Sequence, residues 1–201
     1  MLKSLLSIAS VYSLFAKIIG GRNVRDMYLR KHIRAQAGFR VLDIGCGPGD
    51  ILDHLPNVDY HGFDLSADYI ASAREKYKNR GSFEVHPVGL DLTPLYQDFD
   101  IALANGVIHH LTDSEAIDLL RLAASALKPG GRLVTLDGCF VPEQSAAARC
   151  LLKQDRGKYV RNREAYLDLA RQVFPSVTST VYLKLLRIPY THIVMEATKE
   201  S

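Results

Sequence analysis

The chain has 201 residues, of which 47% are hydrophobic and 23% are charged. This composition is ordinary for a globular protein and excludes a collagen-like or low-complexity chain. The length favours one domain with a substantial core. The formal net charge of +3 is too small to argue for nucleic-acid binding by itself. The three cysteines show no ligand-like spacing, so the sequence predicts neither a disulfide framework nor a metal site.

The first 37 residues predict a helical lid ahead of the main fold. Between Leu5 and Ile19, apolar residues recur at steps of three and four, which is typical of a helix with one apolar face. The uncharged run from Ser4 to Ala16 is shorter than the roughly 20 residues that a membrane span needs. We therefore expect a helix that packs on the protein, with binding to a membrane surface as the alternative, and a cytoplasmic location.

From residue 38 onward, strand-like and helix-like segments alternate. Apolar runs predict strands, and Ser66 and the Thr112–Glu115 capping box predict helix starts. The expected strands cover 39–45, 58–64, 82–90, 99–106 and 132–138. The motif Lys128–Gly131 is typical of a helix end. We therefore expect an α/β fold with a doubly wound, mostly parallel sheet.

The end of the chain predicts a different arrangement. Residues 141–175 form a polar, basic segment with further helix, and residues 176–201 predict two antiparallel strands joined at 187–189. No linker divides the chain, so we expect a single domain over residues 1–201. Its parts are the lid at 1–37, the core at 38–140, the helical segment at 141–175 and the strand pair at 176–201.

The stretch VLDIGCGPGD, residues 41–50, carries the clearest functional signal. Glycines directly after a strand let the backbone turn sharply and approach a nucleotide-like ligand. Asp50 replaces the third glycine of the dinucleotide fingerprint, and no phosphate-loop Lys-Ser/Thr follows. A ligand without phosphates is therefore favoured. Asp43 suits a positively charged group, and Asp64 ends the next strand, where a carboxylate binds ribose hydroxyls.

Four segments in order are similar to the motifs of class I S-adenosylmethionine-dependent methyltransferases. They are VLDIGCGPGD (41–50), YHGFDLS (60–66), FDIALANGVIHHL (99–111) and LKPGGRLVTLD (127–137). The resemblance covers roughly residues 38–140. It implies a Rossmann-like, seven-stranded sheet with an antiparallel last strand. It also implies S-adenosyl-L-methionine as the cofactor and S-adenosyl-L-homocysteine as the product.

The resemblance assigns the cofactor-binding residues one by one. Asp43 would orient the loop and meet the methionyl amine, through water. Gly45, Cys46 and Gly47 would pass beneath the methionine and the ribose. Asp64 would hold the ribose hydroxyls. By composition alone Cys46 is a small packing residue rather than a reactive thiol.

The same resemblance places the adenine and the reactive methyl group. Leu65 would lie against the adenine, and Asp91 and Leu92, after the third strand, would contact it as well. An ordinary loop acid is the alternative for Asp91. Asn105 and Gly106 close the fourth strand and would lie beside the methyl group.

Candidate residues for catalysis follow the fourth strand. An oxygen or nitrogen nucleophile must lose a proton, and His109 and His110 are the candidate bases. The alternative is that this histidine pair shapes the pocket. Tyr190 and His192, at the start of the last strand, are expected to face the same pocket as substrate contacts.

A basic segment predicts the chemistry of the acceptor. Arg156, Lys158, Tyr159 and Arg161 follow the fifth strand, where the fold commonly covers its substrate. Arginines grip carboxylates and phosphates through paired hydrogen bonds, so a small anionic acceptor is expected. A solvated helical face is the alternative.

The sequence therefore predicts a metal-independent methyltransferase acting on a small anionic molecule, with oxygen favoured over nitrogen. Natural-product or surface-glycan biosynthesis would use such an enzyme. One alternative is an RNA methyltransferase that uses the basic stretch 22–40. Against it, the sequence has no RNA-binding module, and ANGV (104–107) stands where base methylators carry Asn-Pro-Pro-Tyr. The other alternative is a regulatory protein that binds the cofactor without catalysis. The oligomeric state is left open.

Overall fold

A computed structural model describes residues 22–89, 95–155, 157–185 and 187–200. Seven strands form one sheet in the order β3-β2-β1-β4-β5-β8-β7. The strands are β1 (Arg40–Ile44), β2 (Asp59–Asp64), β3 (Ser82–Val85), β4 (Phe99–Asn105), β5 (Leu127–Phe140), β7 (Ser176–Tyr182) and β8 (His192–Thr198). A two-residue strand, β6 (Arg161–Asn162), pairs with β5 off this path.

The strand directions confirm the expected doubly wound sheet. Strands β1 to β5 pair in parallel, and β8 runs antiparallel to both β5 and β7. The helices are α1 (Arg22–Tyr28, continued by a π-helical turn over Leu29–Ile33), α2 (Ala67–Tyr77), α3 (Asp113–Ala126), α4 (Ala146–Lys153) and α5 (Arg163–Arg171). Short 3₁₀ helices cover Asp50–His54, Lys78–Arg80 and Ile108–His110.

Both faces of the sheet are buried. Successive side chains of a strand point to opposite sides, so each strand contributes to two cores. On one face Leu42 and Ile44 pack with Phe63 in a core that α3 and α5 also line. On the other face Val41 packs with Tyr60 in a core that includes residues of α2. The near-continuous apolar runs of β1 and β4 therefore reflect burial on two sides.

The topology brings several strand ends to one edge of the sheet. The parallel strands β1, β2, β4 and β5 end there, with Asp43, Asp64 and Asn105 in or next to the last positions of their strands. Strand β8 enters at the same edge, where His192 lies opposite Gly138. Ligands of doubly wound sheets bind beyond this edge.

Helix α1 is fastened to the sheet by polar contacts. His32 is buried between Glu196 and the Tyr182 hydroxyl, at 2.8 and 2.7 Å. Arg132 donates to the carbonyls of His32 and Ile33. The lid predicted over Leu5 to Ile19 lies outside the described residues. Within the described ranges, none of the helices has the length and apolar character to cross a membrane.

The structure shifts three predicted boundaries. Strand β3 ends at Val85, before the predicted residue 90. Lys128–Gly131 belongs to β5, because Leu127 pairs with Phe99 and the backbone of Gly131 pairs with Lys199. Strand β7 ends at Tyr182, although apolar alternation continues beyond it. These boundaries depend on which strands pair. The hydrophobic pattern along one segment does not show its partner strand.

Candidate active site

The glycine loop follows β1 and is built from left-handed backbone. Gly45 and Gly47 have φ angles of 70° and 54°, which strain any residue with a side chain. A Cβ on Gly45 would lie 2.6 Å from Cγ2 of Val107, whereas one on Gly47 would meet nothing within 4 Å. The open space over Gly47 is therefore room for a ligand to approach the backbone closely.

Asp64 ties the ends of β1 and β2 together. Its Oδ2 accepts a hydrogen bond from the Gly47 N–H at 2.9 Å, and its Oδ1 accepts one from the Ser66 N–H at 2.8 Å. Each carboxylate oxygen retains capacity for a further hydrogen bond. The neighbouring Leu65 is 74% exposed, which leaves an apolar surface beside the carboxylate. This pair can take a polar sugar and an apolar base.

Asp43 lies buried beneath the loop, with 3% of its surface exposed. Burial raises the pKa of its carboxyl to about 7, the Tyr60 hydrogen bond opposes the rise, and Asp64 adds to it. The Tyr60 hydroxyl donates to Asp43 Oδ2 at 2.5 Å. A ligand cation near Asp43 would favour the ionised form. The Cys46 thiol has a raised pKa because it is buried, so it is a packing group here.

The end of β4 meets helix α1. The Tyr28 hydroxyl donates to Oδ1 of Asn105 at 2.6 Å, and Tyr28 is buried. A Cβ on Gly106 would lie 3.8 Å from Cε1 of His109, so the His109 ring lies against this strand end. Tyr28 was missed at the sequence level, because its partner is 77 residues away.

His109 is the centre of a group of charged side chains. Its Nδ1 lies 2.8 Å from Oδ1 of Asp137, which also accepts the His109 backbone N–H. Its Nε2 faces Oδ1 of Asp155 at 3.6 Å. Burial lowers the pKa of His109, but the hydrogen bond and charge of Asp137 and the charge of Asp155 outweigh it, and the pKa is raised. The His110 ring lies beside it, tilted by 39°, with ring centroids 4.2 Å apart.

Tyr190, in the loop before β8, and His192, the first residue of β8, belong to the same group of side chains around His109. The Tyr190 hydroxyl donates to Oδ2 of Asp155 at 2.6 Å. The ring centroids of Tyr190 and His192 are 4.7 Å apart. Burial is the main cause that lowers the pKa of His192 to about 4, so the ring is neutral at pH 7. Among the described residues, His192 Nδ1 and Asp137 Oδ2 are buried without a hydrogen-bond partner.

Residues 157–161, which we call the cover segment, lie over His109. Gly157 packs so closely on the imidazole that a Cβ there would overlap the ring. The Tyr159 N–H donates to the His109 carbonyl at 3.0 Å. Lys158 and Tyr159 are exposed. The cover segment thus brings exposed polar side chains to the rim of the pocket.

Arg161 fastens the cover segment and has no donor left for a ligand. Its guanidinium donates to Oδ1 of Asp113 through two nitrogens, at 2.9 and 2.6 Å. Its remaining N–H groups donate to the carbonyls of Ile108, Leu111 and Tyr159. A guanidinium has five N–H donors, and these contacts use them all. Arg161 therefore does not enter the acceptor site proposed below.

Three predicted site residues, Asp91, Leu92 and Arg156, lie outside the described residues. Two carboxylates, Asp137 and Asp155, were missed at the sequence level. Asp137 ends the run RLVTLDG as Asp64 ends its strand, so this signal was present. Asp155 had no such signal, because it was one of three acids in a basic segment. No group of three or more ligand-type side chains suited to a metal occurs among the residues described.

Comparisons with known proteins point to a methyltransferase domain. Residues 42–133 match the family model of a methyltransferase domain. A ubiquinone biosynthesis O-methyltransferase of Bradyrhizobium sp. (strain ORS 278) is 35% identical over 107 residues, covering 52% of this chain and 42% of the relative. A phosphoethanolamine N-methyltransferase of Triticum aestivum is 32% identical over 134 residues, covering 64% of this chain and 26% of the relative.

The fold has relatives among solved structures. Phosphoethanolamine N-methyltransferase 2 of Haemonchus contortus, in complex with phosphomonomethylethanolamine and S-adenosylhomocysteine, superposes with a TM-score of 0.73. It is 19% identical, and the match covers 100% of this chain and 59% of that one, so this likeness concerns the fold. The family match over residues 42–133 and the fold shared with these solved structures support a class I S-adenosylmethionine-dependent methyltransferase. It spans 42% and 26% of the length of the two curated relatives above.

Proposed function

We propose that this chain binds S-adenosylmethionine at the carboxyl edge of its sheet and transfers the methyl group to a small-molecule acceptor. The observation that carries this proposal is the placement of His109. It is held by Asp137 and lies against Gly106 at the end of β4, beside the glycine loop. A histidine with a carboxylate partner is suited to removing a proton from an acceptor.

The residues of the glycine loop fit the cofactor. The open space over Gly47 admits close approach to the backbone, and Asp64 offers both oxygens to ribose hydroxyls. Leu65 offers an apolar surface to the adenine, and buried Asp43 offers a negative charge to the methionyl amine. When bound, S-adenosylmethionine supplies an electrophilic methyl carbon on a sulfonium, which suits a site lined by carboxylates.

His109 handles the proton. Because Nδ1 is bonded to Asp137, the tautomer with a proton on Nδ1 leaves Nε2 free to accept one. An acceptor in the site would lose its proton to Nε2 while taking the methyl group, and the methyl–sulfur bond would break to leave S-adenosyl-L-homocysteine. The protein contributes position, which is worth many kcal/mol in such reactions.

We propose a hydroxyl oxygen as the nucleophile, because an uncharged hydroxyl benefits most from a nearby base. An anionic group on the acceptor remains a prediction. In the described residues, Lys158 and Tyr159 at the rim are the predicted contacts that stay available to it.

The test is a methyl-transfer assay with tritiated S-adenosylmethionine and a panel of small acceptors. The panel pairs hydroxyl with amine nucleophiles, each with and without a phosphate or carboxylate. We expect transfer to a hydroxyl, and loss of at least about 100-fold in His109→Gln, the size of a typical general-base contribution. His61→Gln is the matched control, because His61 lies on β2 and bonds Asp59.

Four outcomes would contradict parts of the proposal. Transfer to amines alone would replace the oxygen nucleophile. Full activity of His109→Gln would remove His109 as the base. Binding of S-adenosylhomocysteine without transfer to any acceptor would favour a regulatory protein, and transfer to RNA would favour the nucleic-acid alternative.

A further inference from the structure

The carboxylate of Asp155 occupies an unusual place next to His109. It belongs to the loop after α4, yet it reaches the Nε2 side of the imidazole, opposite Asp137. The His109 side chain is 10% exposed, and that of Asp155 is 23% exposed. A partly desolvated charge at this distance acts strongly on the imidazole, because water screens it less than at the surface.

Asp155 is held in this place by two donors. The Tyr190 hydroxyl donates to Oδ2 at 2.6 Å, and the Gly157 N–H donates to Oδ1 at 2.8 Å. Tyr190 comes from the loop before β8, so the contact joins two distant parts of the chain. These bonds lie on the carboxylate, and Oδ1 still faces His109. The geometry is that of a carboxylate fixed 3.6 Å from Nε2, where its charge acts on the imidazole.

We propose that Asp155 is a positioning residue of the methyl transfer: held by Tyr190, it stabilises the imidazolium that His109 becomes on accepting the acceptor's proton. The inference rests on the proposed role of His109 as the base. Before transfer, Nε2 is unprotonated and directs its lone pair toward the acceptor. Afterwards the positive ring lies between two carboxylates, with Asp155 Oδ1 3.6 Å from Nε2.

Other charged groups also face the ring, and their effects are separable. Asp137 on β5 bonds Nδ1 and raises the pKa of His109, as Asp155 does. Arg161 on β6 lowers it. The His110 ring lies beside the His109 ring. His192 on β8 is close enough that the charge of His109 lowers the pKa of His192. Removing Asp155 leaves all of these groups in place.

The experiment measures the pKa of His109 directly in the protein alone. Histidine labelled with ¹³C at Cε1 is titrated by NMR, and His109→Gln assigns the signal. In Asp155→Asn we expect the pKa to fall by about one unit, because a nearby opposite charge shifts a pKa by that order. Asp155→Glu keeps the charge and is expected to keep the pKa. Asp168→Asn, an exposed acid on α5, is the control that leaves it unchanged.

A second variant guards against misfolding of the first. Tyr190→Phe removes the hydroxyl that holds Asp155 and is expected to lower the pKa of His109 by a smaller amount. An unchanged pKa in folded Asp155→Asn would overturn the inference. If that variant does not fold, an unchanged pKa in Tyr190→Phe would overturn it instead. Folding is checked by the amide spectrum of each variant.

The titration uses neither cofactor nor acceptor, so its result is independent of the proposed function. With an acceptor from the screen, the acid limb of the kcat profile should move to lower pH in Asp155→Asn by the same amount, with a lower plateau and little change in KM. A loss of rate without a moved limb would contradict the positioning role. Failure of every acceptor would contradict the proposed function while the titration still reports on Asp155.

Discussion

Replacing Asp64 with alanine tests the cofactor site most directly. The carboxylate accepts the N–H groups of Gly47 and Ser66 at 2.9 and 2.8 Å. It therefore holds the glycine loop against the end of β2 and, in the proposal, also binds two ribose hydroxyls. The substitution removes the ligand contacts and releases the loop.

The expected magnitude follows from the number of hydrogen bonds lost. A hydrogen bond to a charged group contributes about 1.5–3 kcal/mol. Two ribose contacts at the low end of that range give about 3 kcal/mol, which is a loss of roughly 100-fold in affinity. Release of the loop adds to this loss. Asp64→Asn keeps the shape of the side chain without its charge and is expected to lose about tenfold.

The assay is calorimetric titration with S-adenosylhomocysteine. The matched control is Asp68→Ala, which removes an exposed carboxylate from the first turn of α2 and should bind as the wild type does. Thermal unfolding shows whether each variant is folded. The reasoning would be refuted if folded Asp64→Ala bound S-adenosylhomocysteine within fivefold of the wild-type affinity.

Three further predictions concern the loop, Asp43 and the cover segment. Gly45→Ala should lower the melting temperature, since its Cβ would meet Val107 at 2.6 Å. Gly47→Ala should instead lose more cofactor affinity than stability. Equal effects of the two substitutions would contradict this contrast. Affinity for S-adenosylhomocysteine, by calorimetry, should rise as pH increases through about 7, the raised pKa of Asp43, because the amine binds the ionised carboxyl; a flat profile, or one unchanged in Asp43→Asn, would argue against it. Arg161→Lys should destabilise the fold by about 2–3 kcal/mol in urea unfolding, because lysine cannot reproduce the bonds of the planar guanidinium; an unchanged midpoint would contradict the fastening role.

The linkage sign for Asp43 is fixed by its burial. A carboxyl whose pKa is raised in the folded state favours folding in its protonated form. This stabilisation is full below pH 4 and is lost as pH rises through about 7. Cofactor binding instead favours the ionised form of Asp43, because the methionyl amine binds the carboxylate. The free protein should therefore lose stability over the pH range in which cofactor affinity increases.

The glycine loop and the two strand-end carboxylates were predictable because their signals are local. A tight turn after a strand needs consecutive residues that tolerate positive φ, and the glycines of VLDIGCGPGD state that need in order. Asp43 and Asp64 stand at the ends of adjacent parallel strands, so their placement follows from the strand pattern. The seven-stranded sheet and its antiparallel last strand also followed, but as implications of the resemblance.

The acceptor side was predicted less well. His109 and His110 were found because they directly follow β4, and Tyr190 and His192 because they precede and begin a strand. Arg161 looked like an anion-binding residue, yet its donors serve Asp113 and three carbonyls. Whether a surface-type residue binds a ligand or its own chain depends on what lies within 3 Å of it. A linear pattern of charges does not contain that distance.

The sequence by itself determined the sheet, the glycine loop and the class of chemistry. Alternating burial and tight backbone turns each require particular residue types at neighbouring positions, so the sequence shows them directly. Only the tertiary structure decided that His109 lies between Asp137 and Asp155. These carboxylates are 28 and 46 positions away along the chain. They meet because β5 ends beside β4, while α4 and the loop before β8 fold over the same edge. Contacts of that range depend on how whole elements pack, and each residue involved carries no mark of its partner.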